Sequence, residues 1–253
     1  MERLYVKDFL IQAQNTVLDA FDKMNINRNG FLVVVSEDDK LLGTLTDGDI
    51  RRALLQGEVL TNTIEKCFQT DCKSIATEED FSVVIDVFKN RSIEFLPIVN
   101  SENKVVNIIT KKQMHALLLK NMSVTLEYDF LSLDEDVVDY EIFQRPWGFY
   151  KTTVLNDYFQ SKVIHVKPNA SLSLQMHNHR EEHWVIVHGT GKVQIGESFI
   201  EVRGGSVLFI PKGCKHRLIN TSETEMLILT EVQIGDYFGE DDIIRFDDIY
   251  GRA

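Results

Sequence analysis

The sequence has few cysteines and no long apolar run. Its three cysteines, Cys67, Cys72 and Cys214, are irregularly spaced in 253 residues, so we expect no disulfide framework of the kind found in small secreted domains. No stretch approaches the roughly 20 apolar residues that a membrane-spanning helix needs, and the opening MERLYVKDFL has no apolar run of secretory length. We therefore expect a cytoplasmic protein that does not enter a membrane.

Basic residues are scarce relative to acidic ones. The chain has 27 Lys and Arg against 39 Asp and Glu, for a net charge of -12. This balance argues against a nucleic-acid backbone or an anionic membrane as a partner. The acidic excess lies in residues 121–141 and 231–253, which we interpret as solvated surface. With 43% hydrophobic residues, the chain is long enough for two domains with buried cores.

The first half of the sequence contains an internal repeat. Residues 31–55 align with residues 95–119 without a gap, at an offset of 64 residues. Each copy has an apolar stretch, a polar turn ending in Lys, a second apolar stretch ending in Thr, and then a helical pattern. The repeat therefore predicts two strand-turn-strand-helix units in tandem.

The motif GTLTDGDI at residues 43–50, together with the repeat, resembles the CBS domain. The resemblance covers about residues 3–120 and implies a tandem pair, with the first domain at residues 1–60 and the second at residues 61–120. Tandem CBS domains often bind adenine nucleotides in the cleft between the copies. Such a pair also serves as a dimerisation scaffold without a ligand, and we keep this alternative open.

The CBS resemblance also implies which residues contact the nucleotide. It assigns Thr46 to the phosphate and Asp49 to the ribose. A carboxylate suits the ribose because it can accept hydrogen bonds from both hydroxyls. The second copy keeps Thr110, but Gln113 stands in place of the Asp and Asn107 in place of a Gly. We therefore expect one adenine-nucleotide site per chain.

The character of the sequence changes after residue 120. Residues 121–143 lose the periodicity and form a predicted acidic linker. Residues 144–253 contain short alternating stretches separated by turn signals such as KPN, GTG and PKG, which predict an all-β sandwich or barrel. The predicted fold class is therefore α+β and multidomain, with a β-β-α repeat module followed by an all-β domain.

Two stretches of the second half have a characteristic spacing. It reads Gln175-x-His177-x4-Glu182-x6-Gly189 in the first and Gly205-x5-Pro211-x-Gly213-x2-His216-x3-Asn220 in the second. These stretches resemble the two cupin motifs, with Gln175 in place of a His and Asn169 in place of a Gly. Asn is the next best residue for a left-handed turn. The resemblance implies a cupin double-stranded β-helix barrel over residues 144–253.

The motif positions carry side chains that bind metals. Gln175, His177, Glu182 and His216 offer an amide oxygen, two imidazoles and a carboxylate. This mixed set suits Zn, Fe, Mn, Co or Ni. His179 has the strand parity of His177 but lies outside the motif, so it is either a substitute ligand or a group that touches the substrate.

Strand alternation in the same stretch predicts an assembly. Ser173, Gln175 and His177 fall on one face, whereas Leu172, Leu174 and Met176 fall on the other. The apolar face needs cover from a second sheet or a partner subunit. We therefore expect a homodimer or a higher homo-oligomer.

Five segments of the second half are more specific than the cupin motifs. They are RPWGFY (145–150), FQSKVIHVKPN (159–169), LSLQMHNHREEHWVIVHGTGKV (172–193), IPKGCKHRLIN (210–220) and EVQIGDYFGEDDIIRFDDIYGR (231–252). Together they look like the type II mannose-6-phosphate isomerase domain. That domain commonly follows a guanylyltransferase domain, whose place the CBS pair takes here. The resemblance implies a Gln, His, Glu, His metal set at Gln175, His177, Glu182 and His216, and the interconversion of mannose 6-phosphate and fructose 6-phosphate through an enediol.

This reaction needs cations for the phosphate and a base near the sugar carbons. Arg145, Lys162, Arg217 and Arg252 are the phosphate candidates, and Lys162 or His179 is the candidate base. One alternative is a non-catalytic module that binds a sugar phosphate or nucleotide sugar and regulates a separate nucleotidyltransferase. Another keeps catalysis but acts on a different aldose phosphate or a sugar destined for surface polysaccharide.

Overall fold

The computed structural model describes residues 4–139 and 141–247. The chain forms two compact units, of which the first comprises residues 1–115 with 123–134 and the second comprises residues 116–122 with 135–253. Among the described residues, none of the helices has both the length and the apolar character needed to span a membrane.

The two repeats fold alike, as the sequence predicted. The first contains β1 (Leu10–Gln12), α1 (Val17–Asn27), β2 (Phe31–Val35), β3 (Leu41–Thr46) and α2 (Asp47–Leu55), and the second contains β4 (Ile75–Ala76), α3 (Phe81–Phe88), β5 (Phe95–Val99), β6 (Val105–Thr110) and α4 (Lys111–Leu119). Each copy has a three-stranded sheet in which the middle strand pairs parallel with the first strand and antiparallel with the third. The predicted β-turn-β-α unit is thus confirmed in both copies.

The central strand of the first repeat explains its unbroken apolar sequence. All five residues of β2, FLVVV, are buried. Phe31 and Val33 pack into one apolar cluster, whereas Leu32 and Val34 pack into another on the opposite face. A strand that is covered on both faces needs apolar side chains at every position.

Hydrogen bonds of one kind fix the starts of two helices in the first repeat. Thr16 accepts from the backbone N–H of Asp19, and Asp19 accepts from that of Thr16. Thr46 and Asp49 form the same reciprocal pair at the start of α2. Such capping boxes satisfy backbone donors that the first helical turn leaves unpaired.

The predicted acidic linker is partly folded. It contains a 3-10 turn at Phe130–Ser132 and the short helix α5 (Asp136–Asp139). Leu126 and Phe130 in the same segment are buried. The acidic composition of the segment gave no indication that these two apolar residues are buried.

The second unit is a two-sheet β barrel. Its strands are β7 (Ile142–Arg145), β8 (Gly148–Leu155), β9 (Phe159–Val166), β10 (Leu174–Met176), β11 (Arg180–His188), β12 (Thr190–Ile195), β13 (Ser198–Arg203), β14 (Val207–Ile210), β15 (His216–Asn220), β16 (Leu227–Gly235) and β17 (Ile244–Asp247). One sheet has the order β13-β12-β15-β10-β17 and the other β14-β11-β16-β9-β8-β7. An apolar core that includes Trp184, Val193, Leu218 and Leu229 is buried in the barrel.

Strand alternation holds only part of the way along the stretch that leads to His177. Leu172 and Ser173 were predicted to face opposite sides, but both are buried and both line the same cavity. The reason is that regular pairing begins at Leu174, whereas Ser171 makes an isolated bridge to Ile219. Asn169, which precedes this stretch, has a φ of 54°, the left-handed conformation expected where Asn replaces Gly.

Candidate metal centre

Three of the predicted ligands converge in the barrel. His177 follows β10, Glu182 lies on β11 and His216 begins β15, and all three are buried. The Nε2 atom of His177 lies 3.1 Å from Oε1 of Glu182, and Nε2 of His216 lies 3.3 Å from Oε2. One ligand atom from each residue falls within 4.8 Å of the others. The carboxylate therefore stands between two imidazoles, in a geometry that can hold a metal ion.

The surrounding hydrogen bonds orient the cluster. Nδ1 of His216 lies 3.0 Å from the carbonyl oxygen of Cys214, which can only accept, so Nδ1 carries a hydrogen and Nε2 faces Glu182. Trp184 Nε1 donates to Oε2 of Glu182 at 3.0 Å, and Gln233 Nε2 donates to Oε1 at 2.8 Å. Such outer hydrogen bonds fix the direction of ligand atoms in metal sites.

The cluster leaves buried nitrogens unsatisfied. Nδ1 of His177 has no hydrogen-bond partner within the described parts of the chain, and Nε2 of His177 and of His216 lie close to Glu182 without the geometry of a hydrogen bond. A buried polar atom without a partner costs about 1–3 kcal/mol. A divalent ion would supply the missing partner, so these residues fit the metal that the cupin motifs imply.

The pKa shifts of Glu182 and His177 favour the protonation states that metal ligands need, whereas the shift of His216 does not. Burial raises the pKa of Glu182, but His216 and His177 outweigh it and hold the pKa well below its usual range. Burial lowers the pKa of His177 and the nearby Glu182 only partly offsets it. Burial also lowers the pKa of His216, but Glu182 outweighs it and the pKa is raised. Glu182 is therefore a carboxylate and His177 a neutral imidazole, as metal binding requires.

Gln175 lies beside this cluster. It is the register partner of His216 across β10 and β15, and it lines the same cavity as His177 and Glu182. Its Oε1 accepts a hydrogen bond from Ser173 at 3.1 Å. The position suits a fourth, neutral ligand, which stays a prediction.

The cluster opens into a small cavity. Three cationic side chains line it, namely Arg145, Lys162 and Arg245, and two acids, Glu231 and Glu240, lie among them. Lys162 is buried and its Nζ atom lies 4.8 Å from the ring centre of Tyr150. Two of the predicted functional cations, Arg145 and Lys162, therefore line the cavity beside the cluster of His177, Glu182 and His216.

The structure does not bring His179 and Arg217 into this cavity. Strand β10 ends at Met176, so the alternation used to place His179 stops before it, and its half-exposed ring lies beside Asp236 with an Nδ1–Oδ1 distance of 3.3 Å. Arg217 donates to Asp247 at 2.9 Å. It follows the inward-facing His216, and adjacent strand residues point to opposite faces. Arg252 lies outside the described residues.

Several cavity residues were missed in the sequence. Glu231 and Gln233 alternate along β16 on its buried face, and two polar residues at inward positions of an otherwise apolar strand are a usable signal. Burial and the charge of Glu182 raise the pKa of Glu231 to about 7. The sequence around Arg245 indicates a cavity position less clearly, because only the register of β17 against β10 places Arg245 opposite Gln175.

The first repeat borders a separate cleft of about 410 Å³. Thr46, Asp49, Arg52 and Gln69 line one part of it, and Phe95 of the second repeat lines another. Asp49 is buried, and it already accepts from Thr46, from Gln69 at 3.0 Å and from Arg52. The residues predicted to contact a nucleotide thus lie together in a cleft, but the carboxylate is engaged within the chain.

Comparison with protein families agrees with this architecture. Residues 6–56 and 64–120 match the CBS domain, and residues 133–248 match the family described as mannose-6-phosphate isomerase C-terminal. The chain is therefore a CBS pair fused to an all-β domain of the cupin type. That second domain belongs to the mannose-6-phosphate isomerase C-terminal family.

The curated relatives are named after polysaccharide biosynthesis and sugar-nucleotide chemistry. The xanthan biosynthesis protein XanB of Xanthomonas campestris pv. campestris is 51% identical over 109 residues, which are 43% of this chain and 23% of that protein. The alginate biosynthesis protein AlgA of Pseudomonas putida is 49% identical, over 43% of this chain and 22% of its own. A mannose-1-phosphate guanylyltransferase of Salmonella montevideo is 34% identical, over 83% of this chain and 41% of that enzyme. The chain thus spans less than a quarter of the length of XanB and AlgA.

Two solved structures are each similar to part of the chain. A double-stranded β-helix protein from Klebsiella pneumoniae is 16% identical, with a TM-score of 0.38, over 44% of this chain and 95% of its own. Staphylococcus aureus OpuCA is 22% identical, with a TM-score of 0.40, over 45% of this chain and 94% of its own.

The relatives correct the functional prediction. The chain was predicted to interconvert mannose 6-phosphate and fructose 6-phosphate, but its relatives are named as a mannose-1-phosphate guanylyltransferase and as xanthan and alginate biosynthesis proteins. That prediction is therefore wrong. The same names do not clearly favour the alternative of a non-catalytic regulator. They support an enzyme, together with the isomerase-type domain.

Proposed function

We propose that the second unit is a metal-dependent enzyme domain that binds a phosphorylated sugar used in polysaccharide synthesis. One observation carries the proposal: the buried cluster of His177, Glu182 and His216 opens into a cavity that three cationic side chains line. Nitrogen and oxygen ligands hold a divalent ion, and the cations attract a phosphate. The names of the relatives support the sugar and the pathway class.

Each group in the cavity has a role in this proposal. His177, Glu182, His216 and Gln175 hold the metal, which when bound stabilises negative charge on an oxygen of the sugar. Lys162 and Glu231 are register partners on β9 and β16, and both line the cavity. They are the side chains that can hold or move a proton beside the bound sugar.

Metal analysis of the purified protein tests the first part. We expect a stoichiometric divalent metal in the wild type and its loss in the double variant His177→Ala, His216→Ala. The matched control is His183→Ala, because His183 lies on β11 but is about half exposed, and its ring contacts that of Phe209 at a tilt of 37°. Full metal occupancy in the double variant would refute the proposed centre.

Calorimetric titration tests the second part. The metal-loaded protein is titrated with mannose, mannose 1-phosphate and mannose 6-phosphate. We expect binding of a phosphorylated sugar, no detectable binding of mannose at the same concentration, and loss of binding in Lys162→Ala. Equal affinity for mannose and its phosphates would contradict a phosphate-directed cavity.

We also propose that the cleft of the first unit binds an adenine nucleotide. Thr46 and Arg52 supply a hydroxyl and a guanidinium for a phosphate, and Asp49 supplies a carboxylate for the ribose. Titration with ATP, ADP and AMP should give one site per chain, which Asp49→Ala weakens. Asp19→Ala is the matched control, because it removes the same kind of helix cap at a distance from the cleft. Unchanged affinity in Asp49→Ala would refute the assignment.

A further inference from the structure

We propose that Arg145, Arg245 and Tyr150 form a subsite for a dianionic phosphate beside the metal cluster, and that the carboxylate of Glu240 occupies this subsite in the ligand-free protein. The inference rests on the proposed function, since it names where the phosphate of the sugar binds. It also assigns a role to Glu240 as an internal competitor of the ligand.

Three donors meet at the Glu240 carboxylate. Oε2 of Glu240 lies 3.3 Å from Nη2 of Arg145 and 3.7 Å from Nη2 of Arg245. Oε1 accepts a hydrogen bond of 2.8 Å from the hydroxyl of Tyr150. Two guanidinium groups and a hydroxyl directed at one acidic group form the arrangement that proteins use to bind phosphate.

The charges favour a phosphate over the carboxylate. Two guanidinium groups face a single negative charge on Glu240, and Lys162 also acts on that carboxylate electrostatically. A phosphate monoester carries about -1.5 to -2 charges at neutral pH. It therefore neutralises the pair of guanidinium groups more completely and offers more acceptor oxygens.

The subsite does not depend on Glu240 for its shape. The guanidinium carbon of Arg145 lies 5.1 Å from the ring centre of Phe143 and 5.5 Å from that of Tyr150, within the range of cation–π attraction. Tyr150 is buried at 5% exposure. Arg145 and Tyr150 would therefore keep their positions when Glu240 leaves.

Glu240 has the most exposed side chain in this arrangement. Its side chain is 44% exposed, whereas those of Arg145 and Arg245 are 25% and 20% exposed. The backbone on either side is anchored, because Arg180 donates to the carbonyl of Gly239 at 3.0 Å and Asp242 accepts from the backbone N–H of Asn178 at 3.1 Å. A side-chain rotation thus suffices to release the subsite to a phosphate.

Titration of chelator-treated protein with inorganic phosphate at constant ionic strength tests the inference. Glu240→Gln should bind phosphate about threefold to tenfold more tightly than the wild type, because the competing charge is gone. Arg245→Gln should bind it at least about tenfold more weakly. The control is Asp241→Asn, which removes the same charge from the neighbouring residue, whose carboxylate accepts from Tyr237 instead; it should leave phosphate affinity unchanged. Circular dichroism verifies that each variant is folded.

The outcomes separate this inference from the proposed function. Equal or weaker phosphate binding by Glu240→Gln, an equal gain in Asp241→Asn, or no phosphate binding by any folded variant would overturn the subsite. If a phosphorylated sugar still binds the metal-loaded wild type, the proposed function survives that result. If phosphate binds as expected but no phosphorylated sugar does, the subsite stands and the proposed function fails.

Discussion

Asp49 and Gln113 hold the same position in the two repeats, and each accepts a hydrogen bond from the backbone N–H of a threonine three residues earlier. The Thr46 N–Asp49 Oδ2 distance is 2.9 Å and the Thr110 N–Gln113 Oε1 distance is 2.8 Å. The two side chains differ in their other hydrogen bonds. Gln113 uses its amide to donate to the carbonyl of Phe130 at 3.0 Å, which a carboxylate cannot do.

The second repeat departs from the CBS pattern at Asn107 and Gln113, and the hydrogen bonds of these two side chains give a structural reason. Asn107 donates to the carbonyls of Leu126 at 3.2 Å and Tyr128 at 2.7 Å. At the corresponding position of the first repeat, a side chain on Gly43 would meet the carbonyl oxygen of Gln69 at 2.3 Å. The amides of Asn107 and Gln113 thus hold the segment that follows α4.

The change Gln113→Glu tests this role. The carboxylate keeps the helix cap but faces the Phe130 carbonyl without a hydrogen to donate, so we expect a loss of about 1–3 kcal/mol in the free energy of unfolding. Urea denaturation at neutral pH measures it. Gln14→Glu, at an exposed position, is the control and should change stability by less than about 0.5 kcal/mol. Equal stabilities of the two variants would contradict the role.

Asp49 should make the stability of the first unit depend on acidity. Burial raises its pKa, but hydrogen bonds from Thr46, Gln69 and Arg52 outweigh it and the pKa is lowered. Because the folded pKa lies below the unfolded value of about 3.9, the contribution is present above that value and is lost as pH falls through the folded pKa. The stability difference between wild type and Asp49→Asn, measured by denaturant melts from pH 7 downward, should therefore shrink in acid. A constant difference would contradict the linkage.

The sequence predicts the fold because its signals are local. Apolar alternation and turn residues define the repeats, and the motif spacing predicts that His177, Glu182 and His216 lie close together, as they do. Whether they bind metal stays a prediction. No local pattern encodes the positions of Arg245 and Glu240. The register of β17 against β10 places Arg245, and Glu240 meets Arg145 across 95 residues. Strand alternation predicted that His179 lies on the same face as His177, but the alternation stops where β10 ends at Met176.

Trp184 should matter for metal affinity through its indole nitrogen. Nε1 donates to Glu182 at 3.0 Å and to Glu231 at 2.8 Å, so it holds two buried carboxyl groups in place. Trp184→Phe removes the donor, and we expect metal affinity to fall about 10- to 100-fold, as is usual for an outer partner of a metal ligand.

Competition with a metal-binding dye measures the affinity of Trp184→Phe. Trp147→Phe is the matched control, because Trp147 is also buried in the barrel core and lines the cavity. It should lose stability but keep metal affinity within about threefold. Equal losses of affinity in both variants would show that packing, and not the hydrogen bonds of Trp184, governs the site.

The outer face of the six-stranded sheet is where we expect a second copy of the chain to bind. Its exposed side chains include Val185, Val207, Phe209, Val232 and Ile234, which share one face because exposed and buried residues alternate along β11, β14 and β16. None of these five is charged, although the chain carries a net charge of -12. Glu181 lies on the same face of β11, but the five apolar side chains give two such acidic chains an uncharged patch through which to associate.

Sedimentation velocity tests this assembly. The wild type should sediment as a homodimer or larger homo-oligomer at micromolar concentration, and Val207→Asp with Phe209→Asp should shift it to the monomer, since two buried charges without partners oppose association. Phe199→Asp is the control, because Phe199 is equally apolar and 61% exposed but lies on β13 of the other sheet, and it should leave the assembly intact. A monomeric wild type, or dissociation by Phe199→Asp alone, would exclude this face as the self-association surface.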